Sequence, residues 1–521
     1  MINLKCWIGK YSWEERIGIL LFLGSIITLT YIVFSVLDQD IHMDELFSLN
    51  LINFPYFWVM GITAADVHPP LYYFILKGIF DLFTFLNIPF NCIILGKIVS
   101  LIPIVLLLIF NLTVLKKKFG WLFTGIFALF IVTMPQIFYG FEIRMYSFAF
   151  LFITLAYFYA YNLTEESKLK NWVLLIFFTL MAAYTHYYAG ISSIFIFLLL
   201  LAWILLKNRI YIKKYVYSVI ILLLLYLPWI SVLGFLLINQ WLDISSRISW
   251  INPINLTTII NYMFQLVSEY GLHPVSKNLM ITSLFNNLYF CNGIITFILL
   301  SIFIILLVYY YKSKYEFNRF ILTGFFVLIF TLLFGVIVSL VYRPVFIVKY
   351  IIPALGALEI SFAFLLSKLY SKKKLIFTFV MILFIISATI NVAYLIEYKK
   401  YNQHSYNSLT PFLNDNSADD LIIYDHAYYL YPHLFSYIGN YKLVNLEDTV
   451  NSYNKMISSS INDPILSKTI YTNDRVWISL DKNHLENFSK KLNENNYKII
   501  EIGNTSIEMG NVSSQLFFVV F

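Results

Sequence analysis

The sequence predicts a polytopic α-helical membrane protein with about eleven transmembrane helices and a small C-terminal extracytoplasmic α/β domain. Three observations predict it: an apolar composition that no soluble core could absorb, eleven runs long enough to cross a bilayer, and a change to ordinary composition near residue 399. Of 521 residues, 60% are hydrophobic and only 12% charged, with a mean hydropathy of +0.75. A soluble domain of that length would leave much of this surface in water.

The apolar runs cover 17–37, 92–115, 121–138, 145–161, 172–188, 190–206, 215–237, 294–311, 320–342, 345–366 and 375–396. Several have 16 to 18 residues, near the short limit for a spanning helix. The first lacks a small-residue cleavage site and reads as a retained anchor. A twelfth run, 69–86, carries Lys77 and Asp81, and its status sets the orientation of everything after it.

If 69–86 does not cross, one side receives Lys5, Lys10, Arg16, Lys116 to Lys118, Lys168, Lys170, Lys207, Arg209, Lys213, Lys214, Lys312, Lys314, Arg319, Lys368 and Lys372 to Lys374. These nineteen basic residues then face the cytoplasm. If it crosses, most of them move outside, against the positive-inside rule. The reading is therefore eleven spans, an interfacial or re-entrant 69–86, the N-terminus inside and the tail outside. The net charge of +7 lies mostly in these loops, so it gives no signal for nucleic acid. Cys6, Cys92 and Cys291 are dispersed and suggest neither a disulfide framework nor a zinc site.

Residues 1–398 thus form the membrane domain, with a first outer loop at 38–91, and 399–521 the second domain. The tail holds short β-like runs at 420–424, 475–480, 497–503 and 514–521, with a helix-like stretch at 483–496. Strands alternating with helices suggest an α/β fold. No repeat or low-complexity segment is present.

On the outer side the remaining ionisable residues are few. They are Asp38, Asp40, His42, Asp44 and Glu45; Asp66 and His68 in ADVHPPLYYF; Glu142 and Arg144, with Tyr146, in YGFEIRMYS; His186 in YTHYYAG; Asp243 and Arg247; and Arg343 and Lys349 in YRPVFIVKYIIP. Taken singly, Arg144, Arg343 and Lys349 could snorkel to headgroups, His186 could anchor at the interface, and Asp44-Glu45 could cap a helix. The set is stronger than its members, because each ionisable group at membrane depth costs roughly 2.5–3.5 kcal/mol.

Cations where a lipid headgroup would sit suit a phosphate or pyrophosphate. A helix opened by His68-Pro69-Pro70 adds backbone donors, and a nearby carboxylate can take the proton of an attacking hydroxyl. Together these describe glycosyl transfer from a polyprenyl-phosphate sugar to an acceptor on the outer face. Asp44 is the candidate base with Glu45 in support, and Asp66 is the alternative. His68, Arg144, Tyr146, His186, Arg343 and Lys349 are candidate substrate ligands.

The acidic pair, followed some twenty residues later by D-x-H-P-P-L, together with the FEIRMYS and YTHYYA segments, resembles the GT-C glycosyltransferases over residues 10 to 370. More narrowly it resembles the bacterial family-39 enzymes, relatives of protein O-mannosyltransferases and lipid A aminoarabinose transferases. The resemblance implies a GT-C membrane fold, a lipid-linked monosaccharide donor, an inverting reaction, and a catalytic role for Asp44. A later span in that family usually begins Arg-Tyr, where this chain has Lys349-Tyr350. Metal use varies among the relatives, so a divalent metal on Asp44 and Asp66 is the one cofactor left open. The acceptor would be a protein or a cell-envelope glycan.

Two other classes fit part of the pattern. A transporter or flippase of a lipid-linked anion would place ionisable residues along both halves of its path, whereas here Glu359 is the main one away from the outer end. A polysaccharide polymerase or ligase would share the donor. Release of free polyprenyl phosphate separates a transferase from a transporter. The orientation is tested by impermeant cysteine labelling in intact cells. The scheme predicts reaction at Ser417→Cys and none at Lys117→Cys, and the reverse pattern would refute it.

Overall fold

The computed structural model describes residues 11–37, 41, 43–238, 251, 253–265, 283–313 and 317–406, together with six strands between Leu421 and Val520. Asp38, Asp40, His42, Asp243, Arg247 and the expected helix at 483–496 lie outside the described residues. The chain forms two compact units: Met1–Leu37 with Leu51–Ile396, and Asp38–Asn50 with Glu397–Phe521.

In chain order the helices are α1 (Trp13–Val36), α2 (Met43–Leu51), α3 (Tyr56–Ala65), α4 (Leu71–Phe85), α5 (Cys92–Phe110), α6 (Lys116–Thr133), α7 (Gln136–Gly140), α8 (Tyr146–Glu165) and α9 (Leu169–Thr185). They continue as α10 (Tyr187–Lys207), α11 (Ile212–Ile238), α12 (Leu256–Phe264), α13 (Ser283–Lys312), α14 (Gly324–Val341), α15 (Ile352–Lys372) and α16 (Lys374–Tyr406).

Among the described residues nine helical stretches are long and apolar enough to cross a membrane. One of them, Cys92–Thr133, contains two of the expected spans. Asn111 Nδ2–H donates to Thr124 O at 2.8 Å, yet thirteen residues of continuous helix would hold the two about 20 Å apart. The chain therefore folds back between them, and Gly120, at φ 85°, supplies non-helical backbone at the turn. The expected span 172–188 falls on α9, which has 17 residues and ends at Thr185. With these two adjustments each expected run has its helix.

Helix α4 is different. Its 15 residues reach about 22 Å, short of a ~30 Å hydrocarbon core. The charges in it have local partners. Lys77 Nζ donates to Ile52 O at 2.9 Å and to Asp81 Oδ1 at 3.1 Å, and Tyr56 O–H donates to Asp81 Oδ2 at 3.0 Å. This clamps α4 against the turn that opens α3.

Helices α8 and α15 form the core of the first unit and are buried along nearly their whole length. They approach so closely at Gly356 that a Cβ there would overlap Thr154 Oγ1. Helices α1 and α6 cross on Gly18, where a Cβ would overlap the Trp121 carbonyl. Small residues allow this contact where helices gain little from hydrophobic exclusion. Buried polar groups reinforce it: Tyr157 O–H on α8 donates to Ile321 O at 2.9 Å and accepts from Gly324 N–H at 2.8 Å.

The second unit contains α2 residues up to Asn50 and a six-stranded mixed sheet. Its strands are β1 (Leu421–Tyr424), β2 (Lys442–Asn445), β3 (Val476–Asp481), β4 (Lys498–Ile502), β5 (Ile507–Met509) and β6 (Val512–Val520). The order is β2-β1-β3-β6-β4, with β5 also on β6. β1 pairs parallel with β2 and β3, whereas β6 runs antiparallel to β3, β4 and β5. The four β-like runs of the tail fall on β1, β3, β4 and β6.

Candidate functional site

Helix α3 ends abruptly. Asp66 N–H donates to Ile62 O at 2.9 Å, Val67 N–H to Ala64 O at 3.2 Å and His68 N–H to Thr63 O at 2.8 Å. This wrapped ending needs a left-handed residue, a place usually given to Gly or Asn. Here it is Val67, at φ 55°. A β-branched residue in that conformation stores on the order of 1–2 kcal/mol of strain. The turn carries the His68 ring back over Asp66, with Nδ1 2.6 Å from Asp66 O and 3.1 Å from Asp66 Oδ2. Pro69 and Pro70 follow and hold His68 out of helix until Leu71.

Arg144 meets this histidine from the other side. It lies in the bend between α7 and α8, 4% exposed, with its own N–H donating to Glu142 O at 2.7 Å. Its Nη2 lies 3.2 Å from His68 Nε2. A guanidinium has only donors, so His68 Nε2 accepts, and in the neutral ring the proton sits on Nδ1 and points at Asp66. The three residues thus form a directed chain: Arg144 donates to His68, and His68 donates to Asp66.

The second histidine has the opposite tautomer. His186 caps α10, its Nδ1 accepting from Tyr188 N–H at 3.2 Å, so Nε2 carries the proton. It lies in the turn between α9 and α10, outside both helices. Burial holds it well below the ordinary imidazole value, and the charges of Arg144 and Lys349 push in the same direction. His186 therefore presents one fixed N–H donor in a positive surrounding.

Aromatic rings complete the cluster. The Tyr146 ring, on the first residue of α8, is 5.6 Å from His186, and Lys349 Nζ is 5.6 Å from the Tyr146 centroid. Tyr350 is 5.2 Å from the His186 ring and stacks on Tyr188 at 5.1 Å. Tyr188 O–H donates to Val345 O at 3.3 Å, which ties down the loop that carries Arg343. The Arg343 guanidinium is 4.9 Å from the ring of its neighbour Tyr342.

The floor is a polar stitch between α4, α5 and α8. Ser100 Oγ–H donates to Gly96 O at 3.1 Å, so Tyr72 O–H donates to Ser100 Oγ at 2.8 Å. Ser147 Oγ–H donates to Ser100 O at 2.5 Å. One turn away, Lys97 is 2% exposed, its Nζ 3.4 Å from Val36 O at the end of α1. Sequence reasoning passed over Lys97, although a lone lysine inside the run CIILGKIVSL was the available signal.

Asp66, His68, Arg144, Tyr146, His186 and Lys349 are thus brought together, with Arg343 on an adjoining loop. Asp44 and Glu45 occupy the first turn of α2 in the second unit, where Ser48 Oγ–H donates to Asp44 O at 3.1 Å. Among the described residues no group of three or more His, Cys, Asp or Glu side chains is placed to hold a metal ion.

The class defined by this architecture is a polytopic helical membrane protein with a polar, cation-lined cluster at one end of its bundle. Two crystal structures of ArnT from Cupriavidus metallidurans share the fold with a TM-score of 0.55, over 96% of this chain and 97% of that one. The apo state is 10% identical in sequence, and the complex with undecaprenyl phosphate 12%. The likeness is one of fold. No family model and no curated protein matches the sequence.

The two nitrogens of His186 have separable tasks. His186→Asn keeps a cap acceptor for Tyr188 N–H and is expected to melt near wild type, whereas His186→Ala should lose about 1–2 kcal/mol. Thermal melts in detergent check this, and an Asn variant as unstable as the Ala variant would contradict the cap.

Proposed function

We propose that the protein is an integral membrane glycosyltransferase that moves a sugar from a polyprenyl-phosphate donor to an acceptor hydroxyl, with inversion, on the extracytoplasmic face of the cytoplasmic membrane. The observation that carries this reading is the convergence of Arg144, Lys349 and the neutral His186 N–H donor at one end of a bundle built like ArnT. One of the two ArnT structures contains undecaprenyl phosphate, which supports a lipid phosphate as the ligand here. The resemblance of DE…DVHPPL, FEIRMYS and YTHYYA to GT-C enzymes of the family-39 type points the same way.

The chemistry follows from these groups. The Arg144 guanidinium offers paired donors to phosphate oxygens, and Lys349 a point charge. Arg343, on the loop beside Tyr188, adds a third cation for the lipid phosphate. The partly exposed Tyr350 ring offers a face for a sugar or the first isoprene unit, whereas Tyr146 and Tyr188 are buried within the cluster. In the transfer the acceptor oxygen bonds to the anomeric carbon as the bond from that carbon to the phosphate oxygen breaks. The electron pair leaves with polyprenyl phosphate, an already good leaving group, whose developing charge the cations stabilise. The acceptor proton goes to a carboxylate. The resemblance favours Asp44 as that base, with Glu45 beside it, and Asp66, which accepts from His68, is the alternative.

Asp44→Asn keeps the side-chain shape but cannot take the proton, so turnover should fall roughly 100-fold or more while polyprenyl phosphate still binds. Turnover is measured as release of polyprenyl phosphate from a polyprenyl-phosphate sugar in proteoliposomes. Normal turnover in the variant would refute the base, and lost donor binding would point to a metal-bridging role.

A further inference from the structure

We infer that His68 is a positioning residue for Arg144: its Nε2 lone pair holds the guanidinium in place for the donor phosphate and adds no negative charge of its own. This rests on the reading of Arg144 as a phosphate ligand and refines it. The sequence offered His68 itself as a substrate ligand. In the tautomer fixed by Arg144 and Asp66, however, Nε2 presents a lone pair, which attracts a guanidinium and repels a phosphate oxygen.

Three features hold the imidazole in that role. Its Nδ1–H is anchored on both Asp66 O and Asp66 Oδ2. Its backbone is fixed by the bond from His68 N–H to Thr63 O and by the prolines that follow. The turn that aims it is kept despite the left-handed conformation of Val67, and such strain persists only where the surroundings over-determine it. A carboxylate at the same place would grip Arg144 more strongly but would cancel the charge a phosphate must find. A neutral imidazole orients the guanidinium and leaves it cationic.

The test is the affinity of the full-length protein in lipid nanodiscs for undecaprenyl phosphate, using His68→Phe, His68→Gln, Arg144→Ala and the Phe/Ala double variant. Gln places an amide oxygen where Nε2 accepts, and Phe fills the space with no acceptor. His68→Phe should weaken binding about tenfold and His68→Gln less than about threefold, while on the Arg144→Ala background His68→Phe should add less than about twofold. An equal cost of His68→Phe in both backgrounds would overturn the inference in favour of direct contact with phosphate. Equal loss in the Gln and Phe variants would overturn it in favour of packing, with melting temperatures recorded alongside. Normal binding by Arg144→Ala alone would instead remove the phosphate role of Arg144, a failure visible before His68 is altered.

Discussion

The hydrogen bond from the Arg144 guanidinium to His68 Nε2 is the interaction around which the cluster is arranged. A cation that is 4% exposed at the end of a membrane bundle is expensive to desolvate, and it persists only where its donors are met. Meeting one of them with a neutral acceptor adds no opposing charge at that donor. That choice fixes the His68 tautomer, which commits Asp66, and it requires the tight turn at Val67 that closes α3. Burial, reinforced by the positive neighbourhood, keeps His186 neutral, with its proton on Nε2 and its Nδ1 capping α10.

The elements around the cluster hold these parts in register. α8 starts at Tyr146 directly after the Arg144 bend and runs through the buried core, so the bend is fixed by one of the two most buried spans described. The stitch through Tyr72, Ser100 and Ser147 joins α4, α5 and α8 beneath it. The Tyr188–Tyr350 stack sets the start of α15, which brings Lys349 over Tyr146. Separate elements thus supply the Arg144 and Lys349 cations.

Much of this was legible in the sequence, because bilayer thickness constrains composition so strongly. The spans, the short α4 and four of the six strands follow from run length and period. Strands β2 (KLVN) and β5 (IEM) carry only two apolar residues each and do not announce themselves, whereas the equally short β1 is the wholly apolar LIIY. The fold-back at Gly120 follows from its positive φ and from the Asn111–Thr124 bond, neither of which hydropathy records. Within the site, charge at one face of the bundle marked Asp66, His68, Arg144, His186 and Lys349. It did not reveal the direction of the hydrogen bonds, which depends on two histidine tautomers set by partners 76 residues away in one case and 2 in the other. Lys97 was passed over because a buried lysine in an apolar run resembles an interruption of the span. The grouping of Asp38–Asn50 with the tail is a long-range packing event, invisible to any local pattern.

The central claim is that a lipid phosphate sits at Arg144. An experimental density map of the full chain in nanodiscs with undecaprenyl phosphate tests it most directly. The account predicts phosphate oxygens within about 3.5 Å of the Arg144 guanidinium, with Lys349 and His186 Nε2 facing the same group and His68 still bonded to Arg144. A phosphate bound elsewhere, out of reach of Arg144, would contradict it.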